Sequence, residues 1–352
     1  MVSARSIRLV GLLIFVCVCS ALAPSACESE VFARAERDPA AVLVAYGRVF
    51  EIDLTRRRVI RRGALHATAP SAARAPDGTV WGRSAPAAVA PAHESSDDHV
   101  PSVALPDTPY LVVHDGSRTL YATHTTVRSG TAGVSLVDTA RGVALPTSLP
   151  VPGPATDIAV TDRAVYVASL PVDAGGVPRL SRFAVAEPGA PAHGPGQVLM
   201  DGLAVGSQFR LAAHGEALFV SCVTGRNVVS PVVLRLDADH VTATTRLDAH
   251  APVTHVVGRP CIAGDRVLVP VLLAGDRSAI AALDRRDLSF AMLYHVDHPV
   301  STVLAADDDT IVCVDSIATA GGEGLHLSFL DRASGKEVTR IQLLSLLERS
   351  MQ

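Results

Sequence analysis

Few residues of this chain are of a type and spacing that could do chemistry. His295 and His298 stand three apart in HVDHP, His255 precedes them, and Asp307, Asp308 and Asp309 form a run of carboxylates. Imidazoles and carboxylates are common ligands of divalent cations that activate water for hydrolysis. Asp157, His255 and His298 around such a metal would make a hydrolase or lactonase.

Neither spacing is a site by itself. His295 and His298 would converge on a helix, but the residues around them alternate as strands do. The sequence contains no H-E-x-x-H, no G-x-S-x-G and no Gly-rich phosphate loop. Of six cysteines, Cys17 and Cys19 fall in an N-terminal apolar leader and Cys27 at its end. Cys222, Cys261 and Cys313 have no C-x-x-C partner, so the expectation is buried thiols, with a Cys222–Cys261 bridge left open in an oxidising compartment.

The elements that would hold these residues repeat. LSFLDRASGKEVTRIQL, Leu327 to Leu343, is a hairpin in which Asp331 accepts amides of the turn and Gly335 supplies a positive φ. The same phrase recurs as FEIDLTRRRVI, VSLVDTARGVAL, LRLDADHVTAT and AALDRRDLSFA, with RFAVAEPG a weaker copy. The turn acids are Asp53, Asp138, Glu187, Asp237, Asp284 and Asp331, the last four at intervals of 50, 47 and 47 residues. A degenerate copy is expected midway between Asp53 and Asp138, near Glu94, Asp97 and Asp98.

Ahead of each hairpin lie two further apolar strands joined by a turn, with the second strand centred on Leu43, Trp81, Tyr121, Tyr166, Phe219, Leu268 or Val312. Asp307–Asp309 occupies the turn between these two strands, which is the plain reading of three carboxylates in a row. Four short strands per unit, with a period in the forties, mark an all-β fold: a β-propeller of seven blades of four antiparallel strands, six or eight being compatible with the irregular N-terminal copies. After a 26-residue leader, 326 of 352 residues remain, about 47 for each of seven blades.

Arg5 and Arg8 precede an apolar run from Leu9 to Ala23, followed by small residues and Cys27, the layout of an export signal. Pro24-Ser25-Ala26-Cys27 resembles the cleavage and lipidation site of a bacterial lipoprotein. The domain reading is therefore a signal at residues 1–26, a polar tether at 27–40, one propeller at 41–347 and a tail at 348–352. An acyl chain on Cys27 would hold the protein to a membrane in the periplasm or at the cell surface.

The net charge is −4, and loss of Arg5 and Arg8 makes it −6. Such a body lacks a basic stripe, and nucleic acid is not an expected partner. The densest positive run, RRRVIRR at Arg56 to Arg62, reads as a charged outer edge guarded against strand addition.

Ligands of closed β structures tend to sit where chains enter the innermost strands. The candidates there are Thr108, Asp157, Gln208, Arg210, His255, Arg259, His298 and Ser301.

VYVAS, LYATH and LFVSC, followed by VSLVDTARG or LSFLDRASG, resemble the repeats of bacterial YVTN/NHL-type seven-bladed propellers over nearly all of residues 40 to 343. That resemblance implies the fold more strongly than an activity, since the group includes sugar-lactone hydrolases and exported binding proteins. The tryptophans of quinone-dependent propeller dehydrogenases are missing, Trp81 being the only one. The expected function is an exported, lipid-anchored scaffold that binds an envelope protein or peptide and needs no cofactor; the alternative is the lactonase, for which a divalent metal is expected.

Overall fold

The computed structural model describes residues 30–31, 40–45, 48–54, 56–65, 71–92, 102–124, 133–151, 153–170, 178–186, 190–200, 209–224, 230–237, 240–319 and 322–343. The leader with Cys27, most of the tether, the Glu94–Asp98 cluster, Glu187, Gln208 and the tail lie outside the described residues.

A two-residue strand, β1 (Glu30–Val31), comes first. The first blade is β2 (Ala40–Ala45), β3 (Arg48–Asp53) and β4 (Arg58–Ala64). The second is β5 (Ser71–Arg74), β6 (Val80–Ala85), β7 (Ala88–Pro91) and β8 (Val103–Ala104). The third is β9 (Pro109–His114), β10 (Thr119–His124), β11 (Gly133–Asp138) and β12 (Val143–Pro150). The fourth is β13 (Ala155–Val160), β14 (Ala164–Ser169), β15 (Arg179–Ala184) and β16 (His193–Met200). The fifth is β17 (Arg210–His214), β18 (Ala217–Thr224), β19 (Ser230–Asp237) and β20 (His240–Arg246). The sixth is β21 (Val253–Val256), β22 (Cys261–Ala263), β23 (Arg266–Leu273), β24 (Arg277–Asp284) and β25 (Phe290–Val296), with β21 and β22 sharing the inner position on β23. The seventh is β26 (Val300–Ala306), β27 (Thr310–Thr319), β28 (Gly322–Asp331) and β29 (Glu337–Gln342). Helix among the described residues amounts to one 3-10 turn, Leu247–Ala249, and the single residue Leu343 after β29.

Within blades, pairing is antiparallel and follows chain order, so the seven-bladed all-β reading holds. Burial follows strand position. All six residues of β10 and of β14 are buried, as expected for second strands covered on both faces, whereas β12 and β16 on the outside are mostly exposed.

No blade can cover its own faces, and seven apolar clusters lie between consecutive blades. Tyr121 and Leu136 meet Val167 and Phe183 between blades three and four, and Phe219 meets Val269 and Leu283 between five and six. The cluster that closes the ring joins Leu43, Phe50 and Ile52 of the first blade to Val312, Leu327 and Phe329 of the last. Among the described residues this closure is made of side chains, because no sheet there contains strands of both the first and the last blade.

The turn acids fix the blade register. Asp53, Asp138, Asp284 and Asp331 accept the amides of Arg56, Arg141, Arg286 and Ser334 at 2.9, 3.0, 2.8 and 2.8 Å. Gly142 and Gly335, at φ 64° and 71°, donate back to the carbonyls of Asp138 and Asp331. In four blades a further recurring bond ties the hairpin to the turn between the first two strands: Thr139 to Arg118, Val185 to Arg163, Arg285 to Asp265 and Arg332 to Asp309.

Asp53 ends β3 as the other acids end third strands, which makes β2, β3 and β4 the second, third and fourth strands of the first blade. Among the described residues, no inner strand pairs with β2. Instead β1, from the segment read as a tether, pairs parallel with β5 in the register Glu30 to Ser71 and Val31 to Ala72. Parallel is the direction expected between inner strands of successive blades.

Candidate functional site at the inner strands

Asp157 sits in β13 with no solvent exposure, and Arg259 reaches it from the break between β21 and β22, two blades away. Arg259 donates Nε–H to Asp157 Oδ2 at 2.9 Å, and its Nη2 pairs with Oδ1. Leu211 of the blade between donates its amide to Oδ2 at 2.9 Å, and Ile158 donates to Oδ1 at 2.6 Å. One carboxylate thus ties together blades four, five and six. A charge this deep persists only when paired and hydrogen-bonded, and both conditions are met.

The break that frees Arg259 depends on Gly258. A Cβ there would stand 2.6 Å from the Ser301 carbonyl oxygen and 2.7 Å from Pro270 Cγ, so only glycine lets the sixth blade approach the inner strand of the seventh. The Gly258 carbonyl in turn accepts from the Ser221 hydroxyl at 3.3 Å.

Other inner-strand edges are capped in the same way by the preceding blade. Ser71 Oγ accepts the Val112 amide at 2.9 Å and donates to the Tyr110 carbonyl at 3.2 Å. Ser278 Oγ accepts the Val300 amide at 3.2 Å. Polar side chains therefore satisfy backbone groups that the ring would otherwise bury unpaired.

A second polar group lies against the seventh blade. His298 Nε2 is 2.8 Å from Asp315 Oδ2, although the ring is not aligned for a hydrogen bond, and Nδ1 is 3.5 Å from Glu337 Oε2. Ser328 Oγ is 2.6 Å from Asp315 Oδ2 and 3.0 Å from Glu337 Oε2, while Arg340 Nη2 is 3.4 Å from Asp315 Oδ2. The equivalent place in the third blade holds His124, whose Nε2 is 2.7 Å from Ser135 Oγ and whose Nδ1 is 3.3 Å from the Thr108 carbonyl. Burial holds the His124 imidazole below its ordinary pKa.

Of the residues expected at the strand entrances, the structure brings Asp157 and Arg259 together. Arg210 starts β17 half-buried, and His255 is exposed on β21. Ser301 is exposed and donates to the Val314 carbonyl at 3.0 Å, and Thr108 is half-buried beside His124. Asp157 and His298 have separate charged partners. Among the described residues no group of three His, Cys, Asp or Glu side chains could hold a metal ion.

Asp307 to Asp309 is a turn: Asp307 Oδ1 accepts the amides of Asp309 and Thr310 at 2.9 and 2.7 Å. Cys222, Cys261 and Cys313 are free and buried. Cys222 belongs to the cluster between blades four and five, whereas Cys261 and Cys313 share that between six and seven, so the bridge left open from sequence is not formed. Burial pushes the Cys222 and Cys261 thiols up to about 12 and Cys313 well above its usual value, which leaves little thiolate at neutral pH.

Asp315, Glu337, Arg340, Ser328 and His124 were not among the sequence candidates. The repeat carried a signal for some of them: His124, Ser169 and Asp315 each stand three residues after the second-strand anchors Tyr121, Tyr166 and Val312, polar where an apolar strand continues.

The fold has many solved counterparts. It is that of a β-propeller. The chain is similar to the β-propeller domain of the Trilobed protease from Pyrococcus furiosus at 12% identity and TM-score 0.51, over 90% of this chain and 96% of that one. It is similar to the Kuenenia stuttgartiensis hydrazine synthase at 14% identity and TM-score 0.55, over 86% of this chain and 92% of that one. BamB from Moraxella catarrhalis matches at 10% identity and TM-score 0.51, over 89% of this chain and 84% of that one. At these identities the likeness is one of fold. No family model and no curated protein matches the chain.

Proposed function

We propose that the protein is an exported propeller, tethered through a lipid on Cys27, that binds another protein or peptide of the bacterial cell envelope. The observation that supports binding over catalysis is the clasp of Asp157, Arg259 and the Leu211 amide: the most deeply placed charges of the inner strands hold blades together. A rigid ring of this kind presents loops and outer strands, surfaces that propellers commonly offer to proteins. The leader ending at Cys27 supports export and tethering.

The test is capture from envelope membranes with the lipidated protein, repeated with a soluble form lacking the leader. A specific partner retained by both forms supports the reading. Metal-dependent opening of lactones by the purified protein, with only common contaminants captured, overturns it in favour of a hydrolase.

A further inference from the structure

The outer strand of the first blade differs from every other outer strand in charge. Strands β12, β16 and β25 contain no Asp, Glu, Lys or Arg, β20 contains one Arg, and β29 one Glu and one Arg. By contrast, residues 53–62 carry Arg56, Arg57, Arg58, Arg61 and Arg62 against Asp53 alone, a local net charge of +4 in a chain of net −4. Sheet order β2-β3-β4 places β4 at an edge, where one row of its backbone N–H and C=O groups has no strand partner among the described residues.

We infer that β4 is a docking edge for an acidic, extended segment of a partner protein, which adds as a further strand to the first blade. Main-chain hydrogen bonds along β4 would supply the affinity, and the arginines the choice of partner and the register. The run already recognises a carboxylate: Asp53 Oδ2 lies 3.2 Å from Arg58 Nε and 3.6 Å from Arg56 Nη1. The same charges disfavour a second copy of this chain. Two β4 strands side by side would set like charges at a strand spacing of about 5 Å, where cross-strand repulsion destabilises pairing. Charge complementarity therefore selects a strand rich in Asp and Glu.

The inference rests on the protein-binding reading and names the class of partner, so its test uses defined peptides in solution and no capture step. The probe is a fluorescent eight-residue peptide alternating Glu with Val or Thr, titrated into the full chain and followed by anisotropy. The wild-type protein is expected to bind it, with affinity falling as salt rises through 0.1 M, where the Debye length is about 10 Å. Arg61→Glu with Arg62→Glu is expected to weaken binding at least tenfold while circular dichroism and the thermal midpoint stay unchanged. A peptide of the same charge with alternate backbone amides N-methylated is expected to bind at least tenfold more weakly.

Equal binding of the methylated peptide, or no change in the charge-reversed protein, overturns the inference. So does peptide binding that appears only after Glu94→Gln, Asp97→Asn and Asp98→Asn together, which would assign the edge to the chain's own acidic segment. Binding of anionic lipid vesicles with none to the peptide also overturns it, in favour of a membrane surface. If no peptide binds while envelope capture still returns a specific partner, this edge is excluded and the broader reading stands.

Discussion

Asp157 and Arg259, two blades and 102 residues apart, form a buried ion pair that takes in the Leu211 amide of the blade between them. Removal of either partner strands a charge. Asp157→Asn or Arg259→Met alone is expected to cost about 3–5 kcal/mol in urea unfolding, whereas Asp157→Leu with Arg259→Met should recover part of it, since apolar replacement of both charged partners is often neutral while the Leu211 and Ile158 amides lose their acceptor. Additive losses in the double variant would show that the two side chains act independently.

Gly258 owes its identity to close approach. Gly258→Ala should destabilise by about 1–3 kcal/mol, because the new carbon meets the Ser301 carbonyl and the Pro270 ring. Gly275, at φ 83° with nothing within 4 Å, is a control in which alanine meets only backbone strain, about 1 kcal/mol. Thermal midpoints that rank the two the other way would refute the packing argument.

Among the described residues the seam between the last and first blades has no shared strand. Phe329→Ala there is expected to cost about 3–5 kcal/mol, as should Phe219→Ala at an interior seam. The distinction lies in local opening. Amide exchange should accelerate first in β2, β3 and β26–β29 for Phe329→Ala, and uniform acceleration around the ring would contradict a weak seam.

His124 gives a pH dependence of stated sign. Its folded pKa lies below the unfolded value of about 6.5, so the unfolded chain binds the extra proton first. Its contribution is fully present above pH 6.5 and is lost as pH falls through the folded value. His124→Gln should flatten stability-versus-pH curves below pH 6.5, and an unchanged slope would remove His124 as a cause.

The three thiols should be unreactive toward maleimide at pH 7 and become labelled only in denaturant. Rapid labelling of native protein, read by mass spectrometry, would contradict their burial.

The repeat was legible because it rests on local chemistry. Alternation gave the outer strands, apolar runs gave β10 and β14, and the acid-to-glycine turn gave Asp138 with Gly142 and Asp331 with Gly335. That β2 has no inner-strand partner among the described residues was not legible, because the sequence marks a second strand by its apolar run and does not say what lies on its edge. At the inner strands, Asp157 and Arg259 were both among the residues expected at the strand entrances, although the polar strand starts that stood out were Asp157 and Arg210. Their mutual pairing did not, since it depends on a break at Gly258 that aims Arg259 across the fifth blade. Asp315 and His124 share a repeat position whose meaning appears only once Ser328 and Ser135 are seen opposite them.

Apart from β1, which joins the second blade's sheet from ahead of the first blade, each sheet among the described residues is spun from one stretch of chain, and the seam at Phe329 and Phe50 is where the first blade meets the last. A gene opened between Met200 and Phe209, with its old ends joined by a short linker, would encode the same seven sheets in rotated order. The ring's integrity would then be covalent at its former gap, and the weakest joint would move to wherever the new ends were placed.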